Sequence, residues 1–188
     1  MKLIYIHGAN ASSISFNYIR SQLAYDDYTI DYNSQHGFAN NLARIITELT
    51  HFNDMFLIGH SLGGIYALHI ANILPKQVVG AVTLSTPYGG SEVADFVKYL
   101  VPCSRLFRDI GPNSDPIMTA KKLPLIHPWC NVVTTAGNSV WIPLKNDGVV
   151  TIASMRARPE MTTVEIETNH YEVVLATGTI NIIRDRLS

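Results

Sequence analysis

The chain has 188 residues, with 14 Lys and Arg against 15 Asp and Glu, a formal net charge of −1 with His neutral. That length suits one domain with a sizeable core, and a composition 47% apolar and 15% charged is the reverse of a disordered chain. Near-neutral charge argues against a nucleic-acid binder, 12 Gly and two Cys exclude collagenous and disulfide-dense classes, and no apolar run approaches the roughly 18 residues of a membrane span.

Met1-Lys2 runs straight into Leu3-Ile4-Tyr5-Ile6, too short for the core of a secretory leader and followed by no small-residue cleavage site. This is a first buried strand, Lys2–Ile6, and the expected compartment is the cytoplasm. Further strands are expected at Tyr28–Tyr32, Met55–Ile58, Val78–Leu84, Asn131–Ala136 and Thr162–Glu167. Several are apolar without alternation, as when both faces of a sheet are covered. Helix-period segments lie between them. Phe38, Leu42, Ile45, Ile46 and Leu49 make one apolar stripe, Leu62–Leu74 is a second helix, and Tyr171–Leu187 a third, interrupted near Gly178. The alternation implies a three-layer α/β/α domain over residues 1–188, with a mostly parallel sheet of about six strands.

One stretch breaks the rhythm. Between Ser85 and Cys130 lie six of the nine prolines, so a lid-like insertion is expected at about 86–130, with short helices such as Glu92–Leu100. Long loops at the carboxyl ends of strands border the ligand crevice in α/β sheets. Phe96, Leu100, Leu106, Phe107, Leu123 and Trp129 give this one apolar side chains to pack. Cys103 and Cys130 flank most of it; a disulfide there would staple it, whereas free thiols suit a reducing compartment.

Met55-Phe56-Leu57-Ile58-Gly59-His60-Ser61-Leu62-Gly63-Gly64 carries the most information. From average composition, G-x-S-x-G arises by accident in on the order of one chain of this length in twenty. Here it falls where a buried strand ends and a helix begins, the setting in which a tight turn presents Ser61 at its tip. Residues two before and two after come close to other backbone, hence Gly59 and Gly63. The helix beginning at Leu62 points its free N–H groups at the site, and Leu62 N–H is placed to donate to an oxyanion.

The chain resembles the α/β-hydrolase superfamily, and within it the small serine esterases and lipases. The resemblance rests on an ordered series: His7-Gly8 after the first strand, Gly59-His60-Ser61-Leu62-Gly63-Gly64, Ser85-Thr86-Pro87-Tyr88-Gly89-Gly90-Ser91, Asp147-Gly148-Val149-Val150, and Asn169-His170-Tyr171. Opening on the His-Gly strand, it resembles the minimal form of that fold. A hydroxyl nucleophile needs a base, and imidazole serves best near neutral pH. His60 adjoins Ser61, so its side chain diverges from it. His69 lies on the following helix, His36 and His51 in turn or helix-end settings, and His127 in the proline-rich excursion. His170 follows the last strand, at the same carboxyl edge as Ser61, and satisfies the order Ser…acid…His. Between Ser61 and His170, Asp95 falls on a helix and Asp109 and Asp115 in the excursion. Asp147 sits in a turn after the fifth strand, and the resemblance selects it, with Asp115 in reserve. The resemblance also assigns the second oxyanion donor to Ala9 N–H, although Ala9-Asn10 departs from the usual Gly or bulky apolar residue and offers the Asn10 side chain instead. His7 is expected to brace this loop. Tyr88 and His60 are read as substrate contacts.

No G-x-G-x-x-G follows a strand, no P-loop pattern occurs, no His pair stands at i, i+4, and two Cys cannot build a zinc site. No cofactor or metal is expected. The expectation is a serine hydrolase cleaving a carboxylic ester, small or lipid-like, through an acyl-enzyme. An acyltransferase or thioesterase with the same three residues, or a non-catalytic binding protein on the same fold, are the alternatives. Acyl length and oligomeric state are not written in the sequence.

Overall fold

Strands β1 (Lys2–Ile6), β2 (Asp27–Ile30), β3 (Met55–His60), β4 (Val78–Leu84), β5 (Trp129–Thr134) and β6 (Thr162–Ile166) form one sheet in the order β2-β1-β3-β4-β5-β6, every pair parallel. This computed structural model describes residues 1–91, 105–137, 139, 142 and 144–188, with 105–107 as backbone only. Helices are α1 (Asn17–Gln22), α2 (Phe38–Leu49), α3 (Leu62–Ile73), α4 (Arg105–Ile110), α5 (Asp115–Ala120), α6 (Ile152–Met155) and α7 (Thr177–Leu187), with single 3-10 turns at Ser13–Phe16, Ser34–His36 and Glu172–Leu175.

Period-two alternation along the strands assigns each face its core. Ile4, Ile6 and Leu57 pack with Phe38 and Ile45 of α2 and with Ile65, Leu68 and Ile70 of α3. Leu3, Tyr5, Phe56 and Ile58 pack on the other side with Phe16, Ile19, Val173, Val174, Ile180 and Ile183. The chain passes from β1 to β2 on one side and then crosses to β3 on the other, so a topological switch point lies between β1 and β3. In open parallel sheets the crevice outside such a point is where ligands bind. Register makes the ends level: Ile6 pairs with Gly59, so His7-Gly8 leaves the sheet beside Ser61.

Some boundaries differ from the expected ones. β2 ends at Ile30 rather than Tyr32, because Tyr32 leaves the ladder to stack on His7, ring centroids 4.2 Å apart. β5 begins at Trp129, directly after Pro128, whose carbonyl takes the Ala81 N–H at 3.1 Å. The C-terminal segment breaks at Ala176, in extended backbone, close to the interruption expected near Gly178. Gly178 lies inside the first turn of α7, where a Cβ would come 2.8 Å from Cδ1 at the flexible end of Ile166 in β6.

Within the excursion between β4 and β5, α5 is anchored on α3. Ile117 and Ala120 are fully buried in the core, His69 Nε2–H donates to Pro116 O at 3.1 Å, and the buried Arg158 guanidinium donates to Ala120 O and Leu123 O. The expected helix Glu92–Leu100, Asp95, Cys103 and Trp141 lie outside the described residues. Cys130 is a buried thiol in β5. Among the described residues no helix is long and apolar enough to cross a membrane.

Candidate active site

Ser61 joins β3 to α3 with φ 52° and ψ −121°, in the left-handed half of backbone space that L residues rarely adopt. Such a conformation costs on the order of 1–3 kcal/mol and persists only where the surroundings enforce it. Here they do: Ser61 N–H donates to Leu84 O at 2.8 Å, and Ser61 O accepts Gly64 N–H at 3.0 Å. A Cβ on Gly59 would lie 2.6 Å from Gly63 O, and one on Gly63 would lie 2.6 Å from His7 O. The two glycines are what allow the strand end, the first helical turn and the end of β1 to touch. Leu62 opens α3, so its N–H belongs to the first turn, which has no acceptor within the helix.

A cavity of about 440 Å³ lies at this edge of the sheet. The loop after β1 lines it with Gly8, Ala9, Asn10 and Ala11; the β3–α3 turn with His60, Ser61 and Leu62; the segment after β4 with Pro87 and Ser91; and the loops near the C-terminus with Val149, Val150, His170, Tyr171 and Val174. Among the described residues no Asp, Glu, Lys or Arg lines it.

Behind His170 stands Asp147, with no solvent exposure. Its Oδ2 takes the His170 Nδ1–H at 2.8 Å and the Thr134 hydroxyl at 2.5 Å. Its Oδ1 takes the N–H groups of Val149 and Val150 at 3.0 and 2.8 Å. Burial alone would push this carboxyl up, but the hydrogen bond and charge of His170, with the Thr134 and Val150 donors, hold it below the usual carboxylate range. A carboxylate only accepts, so Nδ1 carries the imidazole proton and Nε2 is the ring's free lone pair. Main-chain His170 N–H also donates to Asp147 O at 3.0 Å. The turn that carries Asp147 is set by Asn146, whose Oδ1 accepts Ser139 N–H and Gly148 N–H while its amide donates to Leu144 O at 2.8 Å. Gly148 follows at φ 100°, where a side chain would be strained.

The loop after β1 is braced from two directions. His7 is buried; its Nδ1–H donates to Gly8 O at 2.7 Å, and its Nε2 accepts the Tyr32 N–H at 3.2 Å. Asn10 has φ 52°, and its N–H donates to Ser34 Oγ at 3.1 Å. That amide is therefore engaged away from the cavity, and Ala9 N–H precedes it on the lining segment.

The structure thus gathers Ser61, His170, Leu62, Ala9 and His60 around one cavity, with Asp147 directly behind His170. Tyr88 is not among them. It is fully buried in the core, where its hydroxyl bonds Thr83 Oγ1 and accepts Trp129 Nε1–H, both at 2.9 Å, so it is a packing residue and not a substrate contact. Asp115 is exposed in the first turn of α5, and it does not line the cavity. Thr134, Asn146 and Ser34 escaped the sequence reading because each acts through a neighbour brought close only by folding; the one local signal was the run of turn formers around Asp147. Among the described residues no group of three or more His, Cys, Asp or Glu could hold a metal ion.

No family model matches the chain. Over 42 residues, 22% of the chain, it is 48% identical to a triacylglycerol lipase of Pseudarthrobacter phenanthrenivorans, of which the match spans 13%. Among solved structures, the mature lipase of Bacillus licheniformis superposes with a TM-score of 0.78 at 20% identity, covering 100% of this chain and 91% of that one. A lipase-esterase related protein from Clostridium acetobutylicum gives 0.69 at 16%, covering 98% and 93%. The chain has the α/β-hydrolase fold, in a minimal form built on six parallel strands.

Proposed function

We propose that the protein is a serine hydrolase that cleaves a carboxylic ester with an uncharged acyl part. The observation that carries this is the His170–Asp147 pair at 2.8 Å, facing a cavity that Ser61 also lines. Ser61 Oγ attacks the ester carbonyl carbon as its proton passes to His170 Nε2. The carbonyl oxygen gains negative charge and accepts hydrogen bonds from Leu62 N–H and Ala9 N–H. Asp147 holds the ring in the productive tautomer and stabilises the imidazolium. His170 then gives the proton to the departing alcohol, leaving Ser61 acylated. Water follows the same path in reverse, losing a proton to His170 and releasing the acid as Ser61 recovers its hydrogen. Pro87, Ser91 and Ile110, from the excursion between β4 and β5, wall the acyl site. The partial match to a lipase and the lipase neighbours of the fold support this chemistry.

The test is a fluorophosphonate probe with a panel of nitrophenyl esters. Wild type should be labelled and active, and Ser61→Ala should lose the label and about 10⁴–10⁶-fold in kcat while remaining folded. A folded wild type that takes no label and turns over no ester overturns the proposal; turnover only with acyl-CoA or an alcohol acceptor would redirect it to acyl transfer.

A further inference from the structure

The hydrolytic scheme leaves one buried imidazole at the site without a task. His60 ends β3, immediately before Ser61, and is 6% exposed. Its ring stands 5.0 Å from that of His170, centroid to centroid. Its Nε2 lies 2.9 Å from the main-chain oxygen of His170. A carbonyl can only accept, so Nε2 carries the proton and Nδ1 is a bare acceptor. That Nδ1 has no hydrogen-bond partner and is closed to solvent, covered by Gly8 so closely that a Cβ there would approach to 3.1 Å. A nitrogen sealed in this way cannot take a proton or a hydrogen bond from substrate. Burial and the neighbouring His170 push the ring's pKa down to about 3, which keeps it neutral beside an imidazolium.

Among the described residues, three hydrogen bonds fix His170. Its N–H and its Nδ1–H both go to Asp147, so they tie it to the acid loop and would let the two move together. Only the third, from His60, reaches the strand that delivers Ser61. We propose that His60 is a positioning residue: through one Nε2–H···O bond, spanning 110 positions of sequence, the element carrying the nucleophile holds the main chain of the residue that must take its proton. This rests on the assignment of Ser61 and His170 as nucleophile and base.

The experiment compares three variants in ester turnover and in the rate of fluorophosphonate labelling. His60→Phe keeps a ring and loses the donor, and His60→Asn has a donor too short to reach the carbonyl. His60→Gln places an amide nitrogen near the position of Nε2. A misplacement of this kind costs up to about 100-fold. His60→Phe and His60→Asn should therefore lose about 10–100-fold in kcat and in labelling rate, with KM within about twofold. His60→Gln should recover to within about threefold of wild type. Thermal melts establish that each variant is folded at the assay temperature. A folded His60→Phe or His60→Asn with wild-type kcat overturns the inference alone, as does a folded His60→Gln no better than the other two. A wild type inert to both ester and probe overturns the hydrolytic assignment as well.

Discussion

Thr134 Oγ1 and His170 Nδ1 donate to the same atom, Asp147 Oδ2, at 2.5 and 2.8 Å. The hydroxyl thus sets the direction in which the carboxylate can hold the ring. Thr134→Val keeps the shape of the side chain and removes the donor. Loss of a hydrogen bond to a charged group costs about 1.5–3 kcal/mol, so the melting temperature should fall and kcat should drop about tenfold with KM little changed. Thermal melts and steady-state kinetics check this, and an unaltered kcat would make Thr134 a packing residue only.

Asp147 itself should matter far more for rate. Asp147→Asn cannot hold Nδ1–H in the same tautomer, and kcat should fall by about 10³–10⁴-fold. Because the folded carboxyl titrates below its unfolded range, its contribution to stability is present above pH about 4 and is lost as pH falls through the folded value. The stability gap between wild type and Asp147→Asn should therefore narrow on acidification below pH about 4, as followed by denaturant unfolding.

Ser34 holds Asn10 in its left-handed conformation from across the sheet edge. Ser34→Ala leaves the Asn10 N–H without that acceptor and loosens the segment carrying Ala9, and a fall of about tenfold in kcat is expected with KM nearly constant. Asn10→Gly tolerates the positive φ and should keep the loop, whereas Asn10→Val should destabilise the protein by about 1–3 kcal/mol. Equal behaviour of the glycine and valine variants would show that the conformation is not enforced.

The imidazoles of His7, His60 and His69 are buried, and burial lowers the pKa of each. Unfolding lets them protonate at an ordinary value near 6.5, so below that pH the unfolded chain binds more protons than the folded one. Stability should be full above pH about 7 and decline as pH falls through 6.5, by up to about 1.4 kcal/mol per pH unit for each such group. For His60 the decline should extend toward pH 3, and His60→Gln should make the slope between pH 6 and 4 shallower. A slope identical to wild type would show that His60 is not buried as a neutral ring.

The parts of the site that sequence made legible are those governed by local rules. Gly59 and Gly63 announce the turn at Ser61 because no side chain fits there, and strands that all end at one edge bring the loop of His170 to the same side, whereas Asp147 is selected only by the family resemblance. The sheet was legible for a similar reason, since uninterrupted apolar runs such as Met55–Ile58 mark strands covered on both faces. What stayed hidden depends on pairing at a distance. Tyr88, expected as a substrate contact, lies in the segment that resembles the lipase one after β4, yet its hydroxyl bonds inward to Thr83 and Trp129. Thr134 and Ser34 carry no mark at all in a linear chain.

The cavity's lack of Asp, Glu, Lys and Arg among its described walls bears on how a turnover would end. On the proposed reaction an ester would arrive neutral and its acid would depart as an anion, past described walls that hold no ammonium or guanidinium and with the Asp147 carboxylate close behind the ring of His170. These walls give the product anion no charged partner, so accumulated carboxylate should be a poor inhibitor and each cycle should clear the way for the next.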